Sequence, residues 1–312
     1  MLDVTRLRVL VAVARYGSVT GAARALNYAQ PSVSHHLARL ESETGTKLIQ
    51  RAGRGIRLTD AGRLLAERAA EVIGRLDAAE NELAAYTGLR AGRLRLAAFP
   101  SALGTMVPSA AGHLRGSNPG VDLRLTEAEP PEALRMLRAG YVDVALVFRH
   151  SPEASAMGNG SSNDSDVDMT EGLRERLLLD EPIHLVTAAR EPPDDVPDLA
   201  HYAKHRWIAG CDRCRAHLLA QCAHAGFTPR IAFTTDDYVA VQALVAAELG
   251  VSTLPSLCLR AARHPGVRSV PLPGTRRYVY AVRYGDPPDP PAVTQLMDAL
   301  QTAGEPPLPS PG

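Results

Sequence analysis

Three groups of residues in this 312-residue chain have types and spacings that could do chemistry. The first is Gln30, Pro31, Ser32, Ser34, His35 and Arg39, packed into ten positions without an acid among them. Amide, hydroxyl, imidazole and guanidinium groups on one face can meet base edges or phosphates. The second is Cys211-Asp212-Arg213-Cys214 with His217, Cys222 and His224 close behind. It reads as a zinc site, as a redox pair, or as a strand-to-helix junction whose cysteines are incidental. Only one Cys-x-x-Cys pair is present, so no metal is assigned. The third group sits where strand-like runs meet helix-like ones: Pro100, Ser101, Ala102 and Thr105, then Phe148, Cys211, Thr235 and Asp236. Such junctions line ligand clefts in α/β folds, and helix starts favour a carboxylate or other anion. The chain has no phosphate loop, no G-x-S-x-G elbow and no H-E-x-x-H pair, so an enzyme built on the α/β part is the weakest reading. No catalytic residue and no cofactor is expected.

The elements that must hold the first group are short helices. Leu7, Leu10, Val11 and Ala14 recur at helical spacing, and Gly17 stops that run. Ser18 caps a second run carrying Val19, Ala22, Ala23 and Leu26. Pro31 opens a third, whose buried stripe is Val33, Leu37 and Leu40. The outward face of the third helix then carries the polar group, with Gln30 at its start. The bland alternative is an ordinary three-helix core with a polar surface. Next, Leu48–Gln50 and Ile56–Leu58 flank Ala52-Gly53-Arg54-Gly55 and predict a hairpin decorated by Arg51, Arg54 and Arg57. Beside a recognition helix that is a wing for backbone or minor-groove contact; otherwise it is a solvated basic loop.

Thr59 caps a long helix running to about Gly88. Leu65, Ala69, Val72, Leu76, Ala79, Leu83 and Tyr86 alternate steps of four and three, a coiled-coil seam. It predicts a dimer helix, with docking on the chain's own body as the alternative. From Arg93, strand and helix patterns alternate and imply parallel α/β sheets in about two lobes. The strands are 94–99, 121–127, 142–148, 183–187, 207–209, 231–234, 251–254 and 278–283. The helices are 101–116, 131–139, 213–225, 237–249 and 290–302. Residues 150–172, rich in Ser, Gly, Asn and Asp, read as a flexible insertion, and 303–312 as a frayed tail.

The run from Ser18 to Ser42, SVTGAARALNYAQPSVSHHLARLES, followed by Gly45, Leu48, Arg51, Thr59 and Gly62, resembles the winged helix-turn-helix of LysR-type transcriptional regulators. His35 and Ile49 stand where members commonly carry Arg or another polar residue, and Phe. The resemblance implies that Gln30, Pro31, Ser34 and His35 face DNA, that the wing arginine touches backbone or minor groove, and that the long helix dimerises. Pro119-x-Val-x-Leu, Leu137-x-x-Gly-x-x-Asp143-Val-Ala-Leu and Leu244-Val-Ala-x-x-Leu-Gly-Val-x-x-Leu-Pro255 are similar to the family's effector domain, a two-lobed α/β fold like type 2 periplasmic binding proteins. The expected architecture is a winged helix-turn-helix over 1–59, a linker helix over 60–90 and an effector domain over 91–302. Lobe one is 91–172 plus 273–302, and lobe two 173–272. The expected function is sequence-specific DNA binding by a homodimer or homotetramer, modulated by a small-molecule effector. A redox or metal sensor using Cys211 and Cys214 with the same head is the alternative.

Charge agrees with that division. The chain holds 34 Lys+Arg and 34 Asp+Glu. Residues 1–58 hold nine basic and three acidic side chains, a surplus of six positive charges, and the rest is acidic by the same amount. A basic head on an acidic body points to an anionic partner for the head, unless the segregation is chance. The N-terminus lacks an apolar signal core, and no run suits a membrane span. Four cysteines fit a reducing cytoplasm, the expected location.

Overall fold

The computed structural model describes residues 2–52, 55–86, 93–150, 172–190 and 198–304. The chain divides into two compact units, Met1–Arg93 with Arg135–Asp143, and Leu94–Leu134 with Val144–Gly312.

In the first unit, α1 (Val4–Tyr16) starts at Asp3, whose carboxylate accepts the Arg6 N–H at 3.1 Å, and ends at Gly17 in the left-handed region, φ 65°. Its buried side includes Leu7, Leu10, Val11 and Val13; Ala14, expected on that side, is exposed. An alanine near a helix end has little apolar surface to drive its burial. Ser18 caps α2 (Val19–Leu26) by accepting the Gly21 N–H at 3.0 Å. Asn27 then takes the left-handed conformation that turns the chain into α3 (Gln30–Thr44). Val33, Leu37 and Leu40 are buried there, as their spacing predicts. Strands β1 (Ile49–Ala52) and β2 (Gly55–Leu58) pair antiparallel with Ile49 opposite Leu58 and Ala52 opposite Gly55. Leu48, expected to open the strand, lies in the core instead, and its N–H is taken by the Glu41 carboxylate at 2.9 Å.

Helix α4 (Asp60–Tyr86) begins as expected: Thr59 accepts the Gly62 N–H at 3.0 Å. A side chain at Gly62 would come within 2.0 Å of the Leu48 carbonyl oxygen, so the backbones meet only because this residue is glycine. Ala66, Ala69, Ala70 and Ile73 close the head's core.

After α4 the elements are β3 (Arg93–Ala98), α5 (Pro100–Leu103), α6 (Met106–Ser117), β4 (Asp122–Glu127), α7 (Pro130–Arg138) and β5 (Val144–Arg149). They continue with β6 (Leu173–Ala188), a 3-10 turn (Leu199–Tyr202), β7 (Arg206–Ala209), α8 (Asp212–His224), β8 (Arg230–Thr234) and α9 (Tyr238–Ala246). Last come β9 (Val251–Pro255), α10 (Ser256–Ala261), β10 (Val267–Tyr284) and α11 (Pro291–Gly304). One eight-stranded sheet runs β4-β3-β5-β10-β6-β9-β7-β8. The expectation of parallel sheets is corrected at its centre. β3 pairs with β5, and β7 with β8 and β9, in parallel, but β10 pairs antiparallel with β5 and β6, and β6 with β9. The reason is length: β6 and β10, of 16 and 18 residues, run across both parallel groups and tie them together.

The helix expected over 101–116 is two helices. Thr105 leaves helical geometry at φ −135°, ψ −80°, and its hydroxyl donates to the Ser101 carbonyl at 2.6 Å. Helix α11 reaches Gly304, two residues beyond the expected end. The inserted residues 151–171 and the tail 305–312 lie outside the described residues. No described helix is long and apolar enough to cross a membrane.

Candidate functional site

On the head, Gln30, Pro31, Ser32, Ser34, His35 and Arg39 are all exposed on α3, opposite its buried stripe. The fold puts them on one side because residues three and four apart share a helix face. The Gln30 amide reaches the Ser34 hydroxyl at 3.5 Å. The face is less free of acid than the sequence implies, since Arg39 lies 3.8 Å from Glu43. That carboxylate is held more closely by the half-buried Arg6 at 2.9 Å, and the contact with the exposed Arg39 is weak. Arg51 and Arg57 are exposed on the hairpin, while Arg54 lies outside the described residues.

Along α4 the predicted seam has two fates. Leu65 and Ala69 pack into the head's own core. Val72, Leu76 and Leu83 are 47%, 41% and 65% exposed. At about 100° per residue these three lie within about 40° of one another, a narrow apolar stripe.

In the second unit the strand ends converge on a cavity. Water centres have about 60 Å³ to occupy there, room for about four waters at ~10–15 Å³ each. Of the predicted residues, Pro100, Ser101, Phe148, Cys211, Thr235 and Asp236 line it. Ala102 and Thr105 do not. Ala102 is buried in the neighbouring core and the Thr105 hydroxyl is turned onto its own backbone.

Sequence reasoning missed the cavity's cation. Arg277, on β10, is only 2% exposed. Its guanidinium donates to the Glu181 carboxylate at 2.7 Å and to the Ser101 hydroxyl at 3.1 Å. The Phe99 and Phe148 rings flank it at 5.0 and 4.9 Å. Burial works against its charge, but Glu181 and the Cys258 and Cys214 thiols together outweigh burial and hold the guanidinium protonated. Glu181 in turn accepts the Leu257 N–H at 2.7 Å. The Ser101 hydroxyl is therefore already engaged, and α5 has only four residues, so the expected anion site at that helix start is not formed by α5 alone. Nothing in an alternating strand marks one arginine as inward.

Glu129, His150 and His217 were also missed as cavity residues, and they add to its polar lining. The two imidazoles stack with centroids 4.0 Å apart and planes 9° apart. Burial pushes His217 down to about 4. Burial, with His217 and the nearby Arg277 and Arg213 charges, pushes His150 down to about 2. Both rings are thus uncharged at neutral pH. Burial, then the Asp236 charge, raises the Glu129 carboxyl, against the pull of a Cys211 hydrogen bond. His217 follows Cys214 by three residues and Glu129 follows β4 by two; both spacings were legible, but the facing partners were not. The Cys211 and Cys214 sulfurs are 3.0 Å apart. Among the described residues no three His, Cys, Asp or Glu side chains are spaced to share a metal ion.

Two family models match. The one described as "Bacterial regulatory helix-turn-helix protein, lysR family" covers residues 4–63, and "LysR substrate binding domain" covers residues 87–305. A probable HTH-type transcriptional regulator, LrrA of Synechococcus elongatus, is 27% identical over 307 residues, 97% of this chain and 98% of its own length. YvbU of Bacillus subtilis, an HTH-type transcriptional regulator, is 32% identical over 153 residues, 49% of this chain and 52% of that protein. Among solved structures, CbnR, a LysR family transcriptional regulator, aligns with a TM-score of 0.65 at 20% identity, covering 97% of this chain and 100% of its own. A full-length OxyR variant from Pseudomonas aeruginosa aligns with a TM-score of 0.69 at 21% identity, covering 96% of this chain and 95% of its own. The head with its capped helices and hairpin, the long helix and the mixed α/β body follow the same order, and the chain belongs to the LysR family of DNA-binding transcriptional regulators, with a helix-turn-helix head and an effector-binding domain.

Proposed function

We propose that the chain reads a specific duplex DNA site through Gln30, Pro31, Ser32, Ser34, His35 and Arg39 in the major groove. Arg51, Arg54 and Arg57 hold the flanking backbone or minor groove. It acts as a homodimer or homotetramer, joined through the α4 stripe of Val72, Leu76 and Leu83, with Leu65 and Ala69 supporting the stripe from inside the head. A small effector in the body's cavity changes the spacing of the two heads. The effector region is 91–302, with lobe one 91–172 plus 273–302 and lobe two 173–272. The linker is 60–90.

One observation carries this reading. The cavity lies where β6 and β10 tie the two parallel strand groups, and it takes walls from both: Ser101 and Phe148 from one, Cys211 and Asp236 from the other. A ligand touching both groups can bias how they sit. The volume suits a small molecule. Arg277 and the uncharged imidazole N–H groups make a small monocarboxylate the first class to test. Wild-type and Ser101→Tyr protein should be footprinted on DNA flanking their own gene, with a panel of small carboxylates. The reading requires protection of a defined site, changed by at least one ligand in wild type and by none in Ser101→Tyr. Full effector response in Ser101→Tyr would overturn the cavity assignment.

A further inference from the structure

We infer that Cys211 and Cys214 are a reversible dithiol/disulfide pair set in the wall of the cavity. The site is the one proposed above for the effector, but the bond is read without any effector.

Geometry comes first. The two sulfurs are 3.0 Å apart, both thiols are free, and both line the cavity at the edge of the body's core. Cys211 is the N-cap of α8, a helix of 13 residues, and Cys214 follows one turn later. Gly210 makes room for the arrangement: a side chain there would press the Cys214 Cβ at 3.2 Å. Of the other two, Cys258 also touches the cavity and Cys222 does not, and neither belongs to the Cys-x-x-Cys pair. Cys222 and Cys258 are buried in separate apolar clusters, and burial pushes each up to about 11. They act as internal controls within the same chain.

A base stands beside the pair. Glu129 takes a hydrogen bond from Cys211, and burial together with Asp236 raises its carboxyl so that it holds a proton more readily than an exposed glutamate. Its Oε2 is buried without a hydrogen-bond partner among the described residues. Cys214 stays protonated, raised by its hydrogen bond with Cys211 and by burial. The roles follow. Cys211 passes its proton to Glu129 and attacks one sulfur of a small-molecule disulfide, breaking that S–S bond and releasing one thiolate, which takes the proton back from Glu129. Cys214 then attacks the Cys211 sulfur of the mixed disulfide. The second thiolate leaves and takes up the Cys214 proton. Two cysteine thiols are oxidised, and one external disulfide is reduced to two thiols. In the oxidised form Cys211 no longer donates to Glu129, so the cavity's polar lining changes.

The experiment equilibrates the full chain with reduced and oxidised glutathione at pH 7, alkylates the remaining thiols and maps the peptides by mass. The expected product is one intramolecular Cys211–Cys214 bond, reversed by dithiothreitol and unchanged in the Cys222→Ser/Cys258→Ser double variant. Cys214→Ser should accumulate glutathione on Cys211. Glu129→Gln should slow the first exchange several-fold at pH 7. Full alkylation of Cys211 and Cys214 after equilibration with oxidised glutathione would overturn the proposal. So would a bond that uses Cys222 or Cys258, or protection from alkylation that a zinc chelator releases. An unchanged rate in Glu129→Gln would remove the base role.

Discussion

Arg277 and Glu181 illustrate what single residues contribute. Both are 2% exposed, and each satisfies the other together with the Ser101 hydroxyl and the Leu257 N–H. Losing one partner leaves an uncompensated buried charge, at a cost of about 3–5 kcal/mol. Glu181→Gln should therefore lower stability by about that much in urea melts, whereas the double Arg277→Met/Glu181→Leu variant should lose far less. Equal losses in both would refute the pairing argument. A second prediction concerns the stacked histidines. Their folded values are depressed below the unfolded value, so stability is full above about pH 6.5. It declines as pH falls from about 6.5 toward about 4, because the unfolded chain binds protons that the folded rings refuse. At about 1.4 kcal/mol per unit, His217 alone accounts for roughly 3 kcal/mol across that window. Melts of a His150→Asn/His217→Asn variant should show a flatter slope over the same range. These residues explain why the cavity was only partly legible in sequence. Ser101, Phe148, Cys211 and Asp236 sit at strand ends, which a pattern reveals. Arg277 sits within a long strand, and its meeting with Ser101 spans 176 positions that no local pattern encodes.

At the scale of elements, caps and stripes were legible because they are local. Ser18, Thr59 and Gly17 each act within one turn. The antiparallel centre of the sheet was not, because strand direction depends on where a distant segment returns. β10 pairs with β5 and β6 only after the chain has built β7, β8 and β9. Helix α4 shows the same limit on one element. Its heptad pattern does not distinguish Ala69, buried in the head, from Val72, Leu76 and Leu83, which are exposed. The exposed stripe predicts that Val72→Ser/Leu76→Ser/Leu83→Ser reduces the chain to monomers in sedimentation while the head's melting is unchanged. Persistence of the wild-type oligomer would move the interface elsewhere. On the hairpin, Arg57→Ala should reduce the slope of log affinity against log salt by about 0.9 if that guanidinium meets a phosphate.

For the molecule as a whole, a net charge of zero conceals a basic head and an acidic remainder. The head's surplus attracts phosphate wherever it lies, and the acidic body opposes loose binding to arbitrary DNA. A fragment ending at Tyr86, which keeps the α4 residues of the head's core, should bind random DNA more tightly than the full chain at low salt, with the gap closing as salt screens it. Specific recognition and ligand response are then separable duties of one chain. The central claim, that occupancy of the body's cavity governs how the head engages DNA, is tested most directly by one footprint. Full-length wild-type and Ser101→Tyr protein are compared on the DNA flanking their own gene, with a carboxylate that raises the wild-type melting temperature. The account predicts equal ligand-free protection, and a ligand-dependent change in its extent in wild type alone. A ligand-dependent change of the same size in Ser101→Tyr, or unchanged wild-type protection by a ligand that demonstrably binds, would contradict it.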